Sequence, residues 1–177
     1  MATTKWVLDP SHSELGFKVK HLMVTNVSGS FNSFSVTAET IDDDFTNATV
    51  EFSADTTSIT TNSEQRDEHL KSADFFDTAN FPSITFKATR FEKISNDEYS
   101  LTGDLTIKGV TKSEKLKVEF GGVVKDSWGN TKAGFTVTGK INRKDFGLSW
   151  NAALETGGLM VSEEVRVNSE IQLIKQA

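Results

Sequence analysis

Apolar and polar residues alternate with period two through almost the whole chain, and this regularity limits the fold more than any motif does. Leu15, Phe17 and Val19 share one parity, as do Phe34, Val36 and Ala38, then Val50, Phe52 and Ala54. Ile84, Phe86 and Ala88 follow, then Leu101, Leu105 and Ile107, then Leu116, Val118 and Phe120. Phe135, Val137 and Ile141 come next, and Val165, Val167, Ile171 and Leu173 close the series. Side chains on a strand point to opposite faces in turn, so each segment reads as a half-buried strand with a polar outer face. The turn signals "SNDE" (Ser95 to Glu98), "KGVT" (Lys108 to Thr111) and "DSWGN" (Asp126 to Asn130) separate them. About eight antiparallel strands with short turns predict a sandwich or a barrel. Closure removes exposed edges, so a single antiparallel β-barrel over residues 1–177 is the expected fold.

One stretch breaks the alternation. "TTNSEQRDEHLKSADFFDTANFP", Thr60 to Pro82, is too long for a hairpin loop. Thr61 and Glu64 have capping-box spacing, which predicts a short helix starting there. Leu70 and Ala73 give it a narrow apolar stripe, continued by Phe75 and Phe76. Such a segment either gates one barrel end or simply covers the edge of the core.

Thirteen Phe stand against one Tyr. Phenylalanine brings apolar area without a polar group that needs a partner, so the skew fits either a Phe-rich core or a dry cavity for a hydrocarbon. A net charge of −6 with no basic block argues against nucleic acid and anionic membrane surfaces as partners. The absence of cysteine excludes disulfides and thiolate metal sites. No window approaches the roughly 20 apolar residues of a membrane-spanning helix, and stable membrane insertion is not expected. The opening "MATTKWVLDP" has no apolar run of signal-peptide length. The expectation is therefore a cytoplasmic protein, or a periplasmic one if a leader has been removed.

Few residues invite catalysis. His12 and His21 lie nine residues apart on what reads as one strand, "DPSHSELGFKVKHL", where parity sends them to opposite faces and forbids a shared metal. A Ser11–His12–Asp9 triad is rejected because neighbours on an extended chain cannot converge. "TGGLMVS" is a lone glycine pair without phosphate-loop spacing. His69 beside Asp67 and Glu68 reads as a solvated helix face, and Asp42, Asp43 and Asp44 as an exposed turn. No metal site and no cofactor are expected.

"DPSHSELGFKVKH" resembles the opening signature of the YceI-like, polyisoprenoid-binding family. The similarity continues in order through "QRDEHLKSADFFD" (Gln65 to Asp77), "FPSITFKA" (Phe81 to Ala88), "LTGDLTIKGVTK" (Leu101 to Lys112) and "INRKDFGL" (Ile141 to Leu148). Ser113 departs from the pattern, standing where the family commonly has proline. The resemblance implies a lipocalin-like antiparallel barrel holding a long isoprenoid or similar amphiphile, a bacterial origin, and a homodimer. Phe17, Val19, His21, Phe75, Phe76, Ile84, Phe86, Leu105, Ile107, Arg143, Asp145 and Phe146 fall in the matching motifs. Arg143 and Asp145 share a parity and either pair on one face or tie a bulged strand end.

Parity and resemblance together give an expected ligand wall: Phe17, Val19, His21, Phe34, Val36, Phe52, Phe75, Phe76, Ile84, Phe86, Leu105, Ile107, Val118, Phe120, Phe135, Val137, Phe146 and Val167. The expected function is a carrier or sequestering protein for an isoprenoid or acyl chain, without catalysis. Two rivals stand beside it. One is an enzyme using His21 as acid or base, which needs a nearby carboxylate where no inward-parity one is evident. The other is a stress-related barrel with a fully packed interior and no ligand.

Overall fold

The structure, a computed structural model, describes residues 3–21, 25–148 and 161–176. The glycine pair Gly157–Gly158 and the side chain of His21 lie outside what is described. In chain order the strands are β1 (Thr3–Leu8), β2 (Glu14–His21), β3 (Thr25–Phe31), β4 (Phe34–Ile41), β5 (Asp44–Asp55) and β6 (Ile59–Thr60). Helix α1 (Glu64–Lys71) follows, then β7 (Ser83–Lys93), β8 (Glu98–Ile107), β9 (Val110–Lys125), β10 (Thr131–Asn142) and β11 (Val161–Lys175). All pairings are antiparallel, and the ring β1–β4–β5–β7–β8–β9–β10–β11 closes where Leu8 meets Leu173. Closure leaves eight strands around one interior, as the alternation predicts.

The remaining strands lengthen three walls rather than adding new ones. β11 pairs β1 near its end and β2 over Val161–Glu170, so β1 and β2 form one bent wall. β3 with β4, and β5 with β6, bend in the same way. The first bend has a local cause. Pro10 has no N–H to give a ladder, and Asp9 turns its carboxylate onto the N–H (3.2 Å) and Oγ (2.7 Å) of Ser11. Pro10–His12 becomes a 3₁₀ turn. The expected continuous strand from Asp9 to Leu22 is therefore corrected: His12 sits in that turn, exposed, with Nδ1 2.8 Å from Asp9 Oδ2. The second bend is at Asn32–Ser33, where Asn32 donates to the Ser58 carbonyl. At the third, Thr56–Ser58, the buried Thr56 hydroxyl donates to the Phe81 carbonyl at 3.0 Å.

The same turn revises the triad argument. Ser11 Oγ, His12 Nδ1 and the Asp9 carboxylate do converge, all within 3.1 Å, because this segment is not extended. Serine and aspartate both meet the same imidazole nitrogen, however, whereas a triad needs them on opposite nitrogens. The cluster serves the fold. Asp9 Oδ2 also takes the ammonium of the buried Lys132 at 2.8 Å, pinning the β1–β2 bend to β10. The hydrogen bond from Lys132 holds the Asp9 carboxyl well below the usual carboxylate range, and the same contact raises Lys132.

Two ends of the barrel differ. The lower end carries the hairpins at Asp42–Asp43, Ile94–Asp97 and Asp126–Asn130. Its floor is an aromatic cluster: Phe45 lies 4.9 Å from Trp6, 5.7 Å from Phe120 and 5.0 Å from Phe135. Phe91 and Tyr99 join it at 4.9 Å, and Tyr99 meets Phe120 edge-on at 6.1 Å. The upper end carries the Lys108–Gly109 turn, α1 and the connection following it. Lys108 (φ 52°) and Gly109 (φ 76°) make a two-residue turn with both φ positive, which matches strand twist.

The helix begins at Ser63, not at a Thr61 capping box. Ser63 Oγ accepts from Arg66 N at 3.3 Å. Thr61 instead gives its N–H (2.9 Å) and hydroxyl (2.6 Å) to the Asp67 carboxylate and takes Arg66 Nε at 2.7 Å. Ala73, expected on the apolar stripe, is exposed beyond the helix, and its carbonyl accepts from Lys108 Nζ at 2.8 Å. That bond staples the long connection to the β8–β9 turn.

Candidate functional site

Above the aromatic floor the barrel is hollow. The cavity has a volume of about 840 Å³ and takes its wall from inward-parity residues of nearly every strand. Phe17, Val19, Val36, Phe52, Ile84, Phe86, Leu105, Ile107, Val118, Phe135, Val137 and Val167 all line it. Phe75 and Phe76 reach it from the connection after α1, and Phe76 meets Phe31 edge-on at 5.8 Å. Leu15, Phe31, Ile59, Leu101, Leu116 and Ile171 add apolar surface that the expected set did not contain.

Aromatic rings are seated on glycines. A side chain at Gly29 would meet the Phe17 ring at 2.4 Å, so the missing Cβ gives that ring its place on β3. Phe86 lies the same way against Gly103, and Leu116 against Gly139. These pairs let large side chains lie along the wall instead of filling the barrel centre.

Three expected wall residues are placed elsewhere. Phe34 sits at the β3–β4 bend, 6.3 Å from the Phe52 ring, and is not on the cavity wall. Phe120 belongs to the floor, stacked on Phe135 at 5.1 Å, where the β9–β10 register shifts beside Gly134. Phe146 is fully buried in the 3₁₀ turn Arg143–Phe146 that ends β10. The backbone of His21 ends β2, paired with Thr25 and Val161.

The polar lining comes from Lys20, Thr61, Ser63, Gln65, Arg66, His69, Glu114, Arg143 and Ser169. Arg143 is buried and donates from Nε to the Ser162 carbonyl (2.8 Å) and from Nη1 to the Leu148 carbonyl. It thus ties the strand end, the second of the two roles its motif allows. Burial pulls its pKa down, opposed by the charge of Glu163. His69 is no solvated-face residue: its ring stands edge-on to Phe75 at 5.2 Å, Nε2 lies 2.9 Å from Asp74 Oδ2, and it lines the cavity. Ser169, buried mid-wall, has no partner for its Oγ among the described residues.

Glu114 corrects the claim that no carboxylate faces inward. It shares parity with Leu116 and Val118 and lies on the lining opposite Gly103. Burial raises its carboxyl above the usual range, and the charge of Asp145 adds to the effect.

The sequence profile of the YceI-like domain matches residues 6–173. The chain belongs to the YceI-like family. A UPF0312 protein of Staphylococcus aureus (strain N315) is 44% identical to this YceI-like chain over 170 residues, 96% of each. The solved YceI protein of Campylobacter jejuni is 33% identical, with a TM-score of 0.78 over 96% of this chain and 97% of that one. A polyisoprenoid binding domain from Saccharophagus degradans, implicated in plant cell wall breakdown, superposes with a TM-score of 0.65 over 97% and 98% of the two chains. At 16% identity that likeness speaks for the fold alone.

Chemically, the YceI-like cavity is an apolar container with polar groups at few points. No group of three or more His, Asp or Glu among the described residues is placed to hold a metal ion. Within those residues, no α-helix is long and apolar enough to cross a membrane.

Proposed function

We propose that this YceI-like protein carries or sequesters a long-chain lipid, an isoprenoid or acyl chain held inside the barrel, and performs no chemistry on it. The observation that carries this reading is the hollow interior of about 840 Å³ behind an aromatic floor. That volume lies in the range of about 300–1,000 Å³ typical of small-molecule sites. A fully packed barrel, the ligand-free rival, would leave no such space. Burial of apolar surface contributes about 25 cal/mol per Å², so a long chain binds here without a charged anchor. The fold shared with a polyisoprenoid binding domain from Saccharophagus degradans agrees with a lipid site inside the barrel.

Uptake of 1,6-diphenylhexatriene, an uncharged polyene that fluoresces in apolar surroundings, tests the proposal with two charge-changing variants. Phe86 is buried on the wall beside Leu105, whereas Lys87 is exposed on the outer face opposite Glu51. Phe86→Glu buries an unpaired carboxylate and is expected to abolish uptake; Lys87→Glu leaves it unchanged. Circular dichroism of both variants is the check that each still folds. Equal effects from the two would place the probe on the surface and refute the interior site.

A further inference from the structure

The cavity holds one feature that simple storage of a hydrocarbon does not need: a carboxylate in its wall. Glu114 projects on the inward parity of β9, four residues from the start of the strand, with Leu116 and Val118 continuing the same face. It makes no hydrogen bond or ion pair with any described residue. On the adjoining strand β8, Gly103 stands opposite it and supplies no side chain, while Asp104 turns to the outer face. The Arg143–Phe146 turn packs against β9 and brings Asp145, whose charge acts on Glu114, together with the exposed Lys144. Arg143 on the same turn is directed to backbone carbonyls. On its own strand Lys112 and Lys115 are exposed, and the other ionisable lining groups are Lys20, Arg66 and His69.

We propose that Glu114 is the polar anchor of the cavity: its neutral carboxyl hydrogen-bonds an uncharged oxygen head group, hydroxyl or carbonyl, of the bound lipid, so that loading the barrel takes up a proton. The inference rests on the carrier reading. Its physical basis is desolvation. A chain filling the apolar wall displaces water from Glu114, and no cation among the described residues pairs with it to compensate. The ionised form therefore opposes loading. The neutral form gives one O–H donor and keeps acceptor capacity, which suits an alcohol or a carbonyl and not a second anion. Burial and the charge of Asp145 already push the Glu114 carboxyl upward, in the same direction as loading.

The test uses the full chain and 1,6-diphenylhexatriene, which has no titratable group, between about pH 4.5 and about pH 8. One-proton linkage predicts that affinity falls with rising pH, by up to about tenfold per unit above the midpoint. Glu114→Gln is expected to flatten the profile at the level of the acid limb. Asp145→Asn keeps the dependence but moves its midpoint to lower pH, since it removes a like charge. Displacement of the probe at neutral pH by dodecan-1-ol and dodecyl phosphate reads the head group. Glu114→Gln should improve the phosphate's affinity more than the alcohol's. A pH profile unchanged in Glu114→Gln, or equal gains for the two lipids, overturns the anchor. Failure of the probe to bind at any pH overturns the carrier reading itself, and this inference with it.

Discussion

Substituting Gly103 by alanine tests whether the wall is built as described. An added Cβ at this position would lie 2.6 Å from the Lys87 carbonyl oxygen and 2.6 Å from Phe86 Cζ. The ring can tilt, but the carbonyl belongs to β7, held in register by the Ala88–Gly103 and Lys87–Asp104 pairs. Relief requires β7 and β8 to separate. Overpacking of this kind costs about 1–3 kcal/mol, offset by up to about 1 kcal/mol from removing a strand glycine. With the full offset subtracted, the net loss is up to about 2 kcal/mol, or up to roughly 8 °C in Tm for a chain of this size. Gly134 is the control, because a Cβ there meets nothing within 4 Å and its φ is ordinary. Gly134→Ala is expected to be neutral or stabilising by up to about 1 kcal/mol. Urea and thermal unfolding followed by circular dichroism measure both. Since Phe86 is pushed toward the cavity in Gly103→Ala, uptake of 1,6-diphenylhexatriene should weaken as well. Equal stability of the two variants would refute the close seating of Phe86 on Gly103 and the wall geometry built from it.

Two further outcomes follow from individual contacts. Asp9 has its pKa depressed in the folded state, so its contribution to stability is full above its ordinary value of 3.8 and is lost as pH falls through and below it. Asp9→Asn should lower Tm at neutral pH and flatten the acid limb of the stability profile; an acid limb identical to that of the unaltered protein would contradict this role. Phe76 lies at the cavity edge against Phe31. If the connection after α1 gates the barrel, Phe76→Ala speeds probe release in stopped-flow more than the drop in Tm accounts for. A stability loss with unaltered release assigns the segment to packing.

The alternation revealed which side chains face inward, and the wall bears this out from Phe17 to Val167. Parity carries no information on height along the barrel axis. Phe120 and Phe135 read as equals, yet Phe120 lies only in the floor, and Phe146 has left the strand altogether. Nor does period two foresee a bend. The Asp9–Pro10 pair held that signal, through a cap and a missing N–H, but the apolar pattern that resumes at Leu15 masked it. Glu114 was legible by the same parity as Leu116 and Val118. A single polar residue near a strand start reads as the strand's end, and only the register opposite Gly103 places it in the wall. His69 and Arg143 were hidden for a different reason. Their positions depend on contacts distant in sequence or on local turns, with Phe75 and Asp74 for the one and the Ser162 carbonyl for the other.

A carrier of the proposed kind holds a lipid in the interior of its barrel. Native mass spectrometry of the chain purified from the organism that encodes it, followed by organic extraction, addresses this directly. The expected spectrum shows the protein with an added mass that extraction removes and that appears in the organic phase as a single long-chain lipid class. In Phe86→Glu prepared in the same way, that added mass is expected to be missing. A spectrum of the bare chain, together with an interior that takes up no hydrophobic probe, would contradict the account.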